Sequence, residues 1–301
     1  VAPSRGLGDV YKRQQYAILV LPGLILFTLG MMIPLCMAFS YSFTSWNGLD
    51  ATKKWVGLDN YIKLFQDKYV RDAWLFTIKF TVLNTVIQNI AALLLALLLD
   101  STIKAKSLFR TIIFIPCLIS AIIAGFVWLR IYGSVLPALN EILGTDINFM
   151  LFGSKETVLT GLVIANNWQW VGYWMLIYLA GLQSVPHELL EAAKVDGANA
   201  VQKFLKITLP MLAPAITICV VGITTGSLKV YDLLVSSTKG GPGYASTSII
   251  MQIYNTAIAG RQYGYGSAMS ITLIAVLLLI AVIQLKWLKK REVQMLSLIH
   301  I

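Results

Sequence analysis

The chain has 301 residues, of which 57% are hydrophobic and only 13% charged, and its mean hydropathy is +0.73. A soluble globular domain is far less apolar, so the composition defines a polytopic membrane protein. In such a chain the formal net charge of +10 reports topology and lipid contact rather than nucleic-acid binding, for which no motif is present.

Six runs without a charged residue are long enough to cross a hydrocarbon core of roughly 30 Å: Gln15 to Leu49, Phe80 to Leu99, Thr111 to Leu129, Thr157 to Pro186, Ile207 to Leu228 and Gln262 to Leu285. The expected fold is therefore an all-α integral membrane bundle, a single domain over residues 15–295. Its spans are placed near 17–40, 79–99, 111–131, 158–182, 208–229 and 265–287. Residues 1–14 and 296–301 resemble translated sequencing-adaptor read-through and are expected to be non-native tails; without Arg5, Lys12, Arg13 and Asp9 the net charge falls from +10 to +8. The first span is too long for a signal-peptide core and reads as a retained helix. Cys36, Cys117 and Cys219 all fall within spans and read as small packing residues, not disulfides.

Ten Lys and Arg residues sit in the short loops near 100–110, 187–206 and 286–295, and eleven in the long loops of the opposite side. The positive-inside bias is counted over short loops, so density places the short loops and both termini in the cytoplasm. The first outer loop, Thr44 to Lys79, alternates aromatic and charged residues as an interfacial segment does. In the second span Thr81, Asn84, Thr85, Gln88 and Asn89 recur at spacings of three and four and share one face. Such a face avoids lipid; interhelical hydrogen bonding and lining of a path both fit it. The third outer loop holds Lys239-Gly240-Gly241-Pro242-Gly243-Tyr244, a tight turn.

Between the fourth and fifth spans lies the charged segment Glu191 to Pro210. Pro186 closes the fourth span, and Glu188 and Glu191 then fall where a helix N-terminus favours negative charge. Ala192 and Ala193 are small helix formers, Gly197 permits a turn, and Lys203 and Lys206 suit the end of a second short helix. The result is an α-α hairpin able to dock on a partner as a lever; an ordinary solvated interhelical loop fits the same electrostatics equally well. Its spacing is Glu191-Ala192-Ala193, three residues, Gly197, nine residues, Ile207, one residue, Leu209-Pro210.

That spacing resembles the EAA loop of bacterial ABC-importer permeases. SFTSWNG (42–48), VGLDNYIKLF (56–65), SLFRTIIFIP (107–116), LAGLQSVPHELLEAAKVDGA (179–198), GGPGYAS (240–246) and YGYGSAMS (263–270) narrow the resemblance to the carbohydrate-uptake permeases similar to MalF, UgpA and LacF. The resemblance implies a six-helix, binding-protein-dependent sugar-transport subunit of the bacterial inner membrane. The implied partners are a second permease, two ATPase subunits that use ATP, and an extracellular or periplasmic solute-binding protein. It assigns Glu191, Ala192, Ala193, Asp196, Gly197, Ile207, Leu209 and Pro210 to the ATPase-coupling loop. Sugar contacts in MalF-like proteins come from the fourth and fifth core spans, here Gln169, Trp170, Gly172, Tyr173 and Trp174 with Ser227, Lys229, Tyr231 and Asp232, to which Asn84 and Gln88 are added. Aromatic faces stack on sugars and the polar groups bind hydroxyls. An interfacial aromatic belt, or a Lys229 to Asp232 pair, also fits these residues. The large inserted domain of MalF has no counterpart.

No zinc-site spacing, nucleophile elbow or phosphate loop occurs, so neither an enzyme nor the ATPase itself is expected, and no cofactor or metal site is assigned. A secondary transporter of small polar solutes is the alternative. It would be expected to carry intramembrane carboxylates, and the spans hold none.

Overall fold

The computed structural model describes residues 7–101, 104–145 and 150–297, with side chains from 15 to 290 except residue 17. Of the expected non-native tails, residues 1–6 and 298–301 lie outside the described residues. Among the described residues all regular structure is helical, apart from one isolated antiparallel bridge between Thr44 and Trp55. The chain forms two compact units, residues 1–66 with 253–272, and residues 67–252 with 273–301.

In the first unit α1 (Leu7–Phe27) passes through a π-helical turn into α2 (Ile33–Tyr41), and α3 (Asp59–Gln66) follows an irregular loop. The Asn60 amide holds this loop together by donating to the carbonyls of Ser42 and Thr44, both at 2.8 Å. The Ser42 carbonyl is one that the end of α2 leaves without a helical partner, and Thr44 belongs to the bridge with Trp55 that follows. The Gly264 N–H donates to the Trp46 carbonyl at 2.9 Å, an approach that a Cβ would block by overlapping the Thr44 carbonyl.

The second unit holds α4 (Lys68–Asp100), α5 (Lys106–Phe114), α6 (Ala121–Arg130), α7 (Leu136–Leu143), α8 (Val158–Gln183), α9 (His187–Val195), α10 (Ala200–Lys203), α11 (Leu209–Met211), α12 (Ala213–Leu228) and α13 (Asp232–Ser237). The short α14 (Ile249–Tyr254) straddles the division, and α15 (Tyr263–Ser297) begins in the first unit and ends in the second. Helix α4 packs along both α8 and α12, and α13 packs on α6. Its buried positions, from Val70 through Phe76, Phe80, Asn84, Gln88, Ala92 and Ala96 to Leu99, advance by the threes and fours that keep one face inward. One core gathers Phe76, Phe80, Leu162, Leu233 and Leu234; another gathers Ala92, Ala96, Met175, Tyr178, Leu212 and Cys219.

Among the described residues four helices are long and apolar enough to cross a membrane: Ile18–Tyr41, Lys68–Asp100, Ala121–Leu143 and Tyr263–Lys290. Residues Ala200–Met211 and Ala213–Leu228 make a fifth only if taken as one path bent by 67°. Helix α8 has 26 residues but carries Asn166, Asn167 and Gln169, and is too polar to join them by composition. The third span differs from the expected 111–131. Pro116 sits in a 3-10 turn, Ile115–Leu118, and Ile119 is extended, so the long apolar helix starts afresh at Ala121. Proline supplies no N–H and disfavours helix in the residue before it, which ends the charge-free run as one element. The second helix begins earlier than expected, because Asp67 caps it by accepting from the Tyr69 and Val70 N–H groups.

Glycine sets the closest approach of α8. A Cβ on Gly172 would overlap the backbone of Ile113 and Phe114, whereas Gly226 faces open space. Gly172→Ala is therefore expected to cost about 1–3 kcal/mol, the usual range for overpacking, read as a lower melting midpoint in detergent; Gly226→Ala should leave the midpoint unchanged.

Candidate functional site

A cavity of about 240 Å³ opens between α4, α8, α12 and the segment Lys229–Leu233. Asn84 and Gln88 reach it from α4, Asn166, Trp170 and Trp174 from α8, and Gly222, Gly226 and Ser227 from α12. The α8 trio repeats every four residues and so lies on one face. On α12 Gly222 leaves a notch filled by the indole of Trp174, since a Cβ there would strike the ring.

Asn84 organises the polar side. Its Nδ2 donates to Ser227 Oγ at 2.8 Å and to Gln88 Oε1 at 3.1 Å, and its Oδ1 accepts from Asn167 Nδ2 at 2.9 Å. One buried amide thereby ties α4 to both α8 and α12. A second polar layer continues it: Tyr178 donates to Asn89 Oδ1 at 2.7 Å, and Gln284 Nε2 donates to Thr224 Oγ1 at 3.0 Å. Gln88 Nε2 and Asn167 Oδ1 are buried without a hydrogen-bond partner, which leaves one donor and one acceptor unused beside Asn84. The two readings of the α4 polar face meet at Asn84, which bonds between helices and also lines the cavity; Gln88 lines it, and Thr85 and Asn89 bond between helices.

The expected path residues divide. Asn84, Gln88, Trp170, Trp174, Ser227, Lys229, Tyr231 and Asp232 all line the cavity. Gln169 instead turns away and donates to the Ile119 carbonyl at 2.8 Å, Gly172 is the contact with Ile113, and Tyr173 borders a separate apolar groove with Phe114 and Ile177. Lys229 and Asp232 make no ion pair; among the described residues the ion pair is Arg71 with Asp72. Asn166, Asn167, Thr224, Gly222 and Gln284 escaped the sequence reading. The four-residue recurrence of Asn166, Trp170 and Trp174 was the available signal.

The charged loop is built from two interlocked caps. Helix α9 ends with Asp196 as its cap and Gly197 left-handed at φ +76°. The Gly197 N–H donates to the Lys194 carbonyl at 3.2 Å and the Ala198 N–H to the Ala193 carbonyl at 2.9 Å, the bond pair of a Schellman motif. Two residues on, Asn199 and Gln202 form a reciprocal capping box, each side chain accepting from the other's backbone N–H at 2.9 Å. This asparagine-x-x-glutamine signal was present in the sequence and unread. Glu191, Ala192, Asp196 and Gly197 are exposed and Ala193 is buried. A concavity lined by Ala193, Asp196, Gly197, Lys203, Lys206 and Ile207 lies at the turn. Beyond a π-helical stretch, Phe204–Thr208, Leu209 and Pro210 open α11 and lead to the buried Leu212, where the chain bends into α12.

Residues 7–293 match the family of binding-protein-dependent transport system inner membrane components, and the chain belongs to that family. It is 35% identical over 282 residues, 93% of this chain and 96% of the relative, to "Probable starch degradation products transport system permease protein AmyD" of Thermoanaerobacterium thermosulfurigenes. It is 32% identical over 279 residues, 92% and 96% of the two chains, to the multiple sugar-binding transport system permease protein MsmF of Streptococcus mutans. It is 29% identical over 279 residues, 91% and 94%, to the sn-glycerol-3-phosphate transport system permease protein UgpA of Escherichia coli. The fold is similar to that of a bacterial ABC transporter involved in the import of the acidic polysaccharide alginate, with a TM-score of 0.81 at 22% identity over 94% of this chain and 98% of that one. The chain is thus a multi-pass inner-membrane permease of the sugar ABC-importer family, which displaces the secondary-transporter alternative.

Replacing Asn84 by Leu should strand Ser227, Gln88 and Asn167 together. The expected cost is about 1–3 kcal/mol for leaving buried polar groups unpaired, seen as a lower thermal midpoint. Asn89→Leu, which touches only Tyr178 and its own helix, should cost less.

Proposed function

We propose that this chain forms half of a translocation path for a carbohydrate or sugar-like solute, and that the segment from residue 187 to 210 receives the motion of a separate ATPase. The working assembly contains a second homologous permease, two ATP-binding-cassette subunits and a solute-binding protein on the outer side, with both termini in the cytoplasm. ATP is used by the ATPase partners, and this chain binds no cofactor. The carrying observation is continuity: the doubly capped loop runs through α11 and Leu212 directly into α12, the helix that supplies Gly222, Gly226 and Ser227 to the cavity wall.

Rigidity is what such a lever needs. The Schellman and capping-box bonds fix the turn, so a displacement at Glu191 and Ala192 is passed along the chain instead of being absorbed there. At the 67° bend displacement of α11 becomes rotation of α12, which moves Ser227 relative to Asn84. In the cavity Trp170 and Trp174 offer faces to sugar CH surfaces, and the unpartnered Gln88 donor complements a hydroxyl. Because each hydroxyl both donates and accepts, the neutral amides serve it, and Lys229 and Asp232 add one charge of each sign to the lining.

Gly197→Pro replaces a left-handed residue by one locked near φ −65° and should abolish uptake while the complex stays assembled. Glu191→Lys should reduce uptake at least about tenfold, equivalent to about 1.4 kcal/mol of coupling. Unchanged uptake with an intact complex in both variants would reject the coupling role. The purified chain alone in liposomes should neither hydrolyse ATP nor move sugar.

A further inference from the structure

Within the first unit, α3 is amphipathic in the inverted sense. Its Asn60 and Leu64 are buried, while on the opposite face Leu58, Ile62 and Phe65 are 61%, 55% and 90% exposed, and Trp55 just before the helix is 65% exposed. The spacings of four and three from Leu58 to Ile62 and Phe65 place these three side chains along one stripe, and Trp55 precedes them ahead of the left-handed Gly57. The polar residue points inward because it has work there: Asn60 donates to Ser42 and Thr44, and the neighbouring Tyr61 hydroxyl donates to Ser42 Oγ at 2.7 Å. The helix is thereby clamped to the end of α2 with its apolar stripe facing out.

Trp55, just ahead of the stripe, is joined to the surface of the first span by ring contacts. None of the apolar window of Ile18–Tyr41 is buried within the chain, and an apolar surface on a helix long enough to span suits acyl chains. Phe39, on that surface, meets Phe43 edge to face at 5.2 Å, and Phe43 stacks on Trp55 at 5.3 Å. An unbroken run of rings therefore leads from the span to Trp55. Around the same exit Lys53 donates to the Tyr41 hydroxyl at 3.0 Å and lies over the rings of Tyr41 and Trp46. Tyrosine and tryptophan with a lysine at the mouth of a span are the residues of the headgroup layer.

We infer that α3 lies in the outer membrane–water interface, with Trp55, Leu58, Ile62 and Phe65 inserted at the boundary of headgroups and acyl chains, and that Asn60 sets this orientation. The occupant of the stripe is lipid. This goes beyond the transport reading; its assignment to the outer side rests on the cytoplasmic termini of that reading, while the accessibility contrast below tests the interfacial placement on either side.

The test uses the full chain with Cys36, Cys117 and Cys219 replaced by alanine, spin-labelled singly at I62C, K63C, F65C or Q66C and placed in phosphatidylethanolamine–phosphatidylglycerol nanodiscs. The ratio of accessibility to oxygen over a water-soluble nickel chelate should be several-fold higher at 62 and 65 than at 63 and 66. A ratio at 65 no higher than at 63 places the stripe in water and overturns the inference. Adding Asn60→Ala should erase the contrast between the two faces. As an independent reading in cell membranes, p-benzoylphenylalanine at position 65 should cross-link phospholipid; cross-linking to a polypeptide would assign the stripe to a protein partner and reject lipid.

Discussion

The second unit depends on one side chain, the amide of Asn84, buried where α4, α8 and α12 meet. In an apolar medium there is little hydrophobic force to choose one helix register over another, because lipid tails satisfy leucine as well as another helix does. A buried amide does choose. Each bond contributes modestly, about 0.6 kcal/mol on average for interhelical pairs in membranes, but leaving such groups unpaired in hydrocarbon costs several kcal/mol. Registers that separate Asn84 from Ser227 and Asn167 are thereby disfavoured, and the cavity beside them acquires fixed walls.

Shape around that anchor comes from residues that remove volume. Gly172 lets α8 touch the backbone at Ile113, and Gly222 admits the Trp174 ring into α12. Close approach through glycine is how helices gain dispersion contact when burial from water is unavailable. The same closeness brings Trp170, Trp174 and the amides to one small volume, so tight packing and a usable polar pocket have a common origin.

The loop from residue 187 to 211 is stiff for a different reason. Its helices are too short to persist alone, and backbone caps hold them: Gly197 for the end of α9 and Asn199 with Gln202 for the start of α10. Local hydrogen bonds within a dozen residues suffice, and this is why the hairpin was legible from glycine and alanine positions without knowledge of the bundle.

Most of the helices and the polar stripe of α4 were likewise legible, because a 3.6-residue period is written into Asn84, Gln88 and their neighbours. The third span was misplaced because a count of uncharged residues ignores the break that Pro116 imposes. On α8 the sequence selected a contiguous aromatic run, Gln169 to Trp174, although a helix shows only part of such a run to any one neighbour. Composition and residue spacing by themselves determined that this is a helical membrane protein with two short helices joined at a glycine in the charged segment after Pro186. Tertiary structure alone decided that Asn166, Trp170 and Trp174 face the cavity while Gln169, Gly172 and Tyr173 do not, and that Asn60 turns the apolar stripe of α3 outward. Periodicity fixes which residues share a face, but only the partners across the gap, a carbonyl at Ile119 or Ser42, a notch at Gly222, fix where that face points.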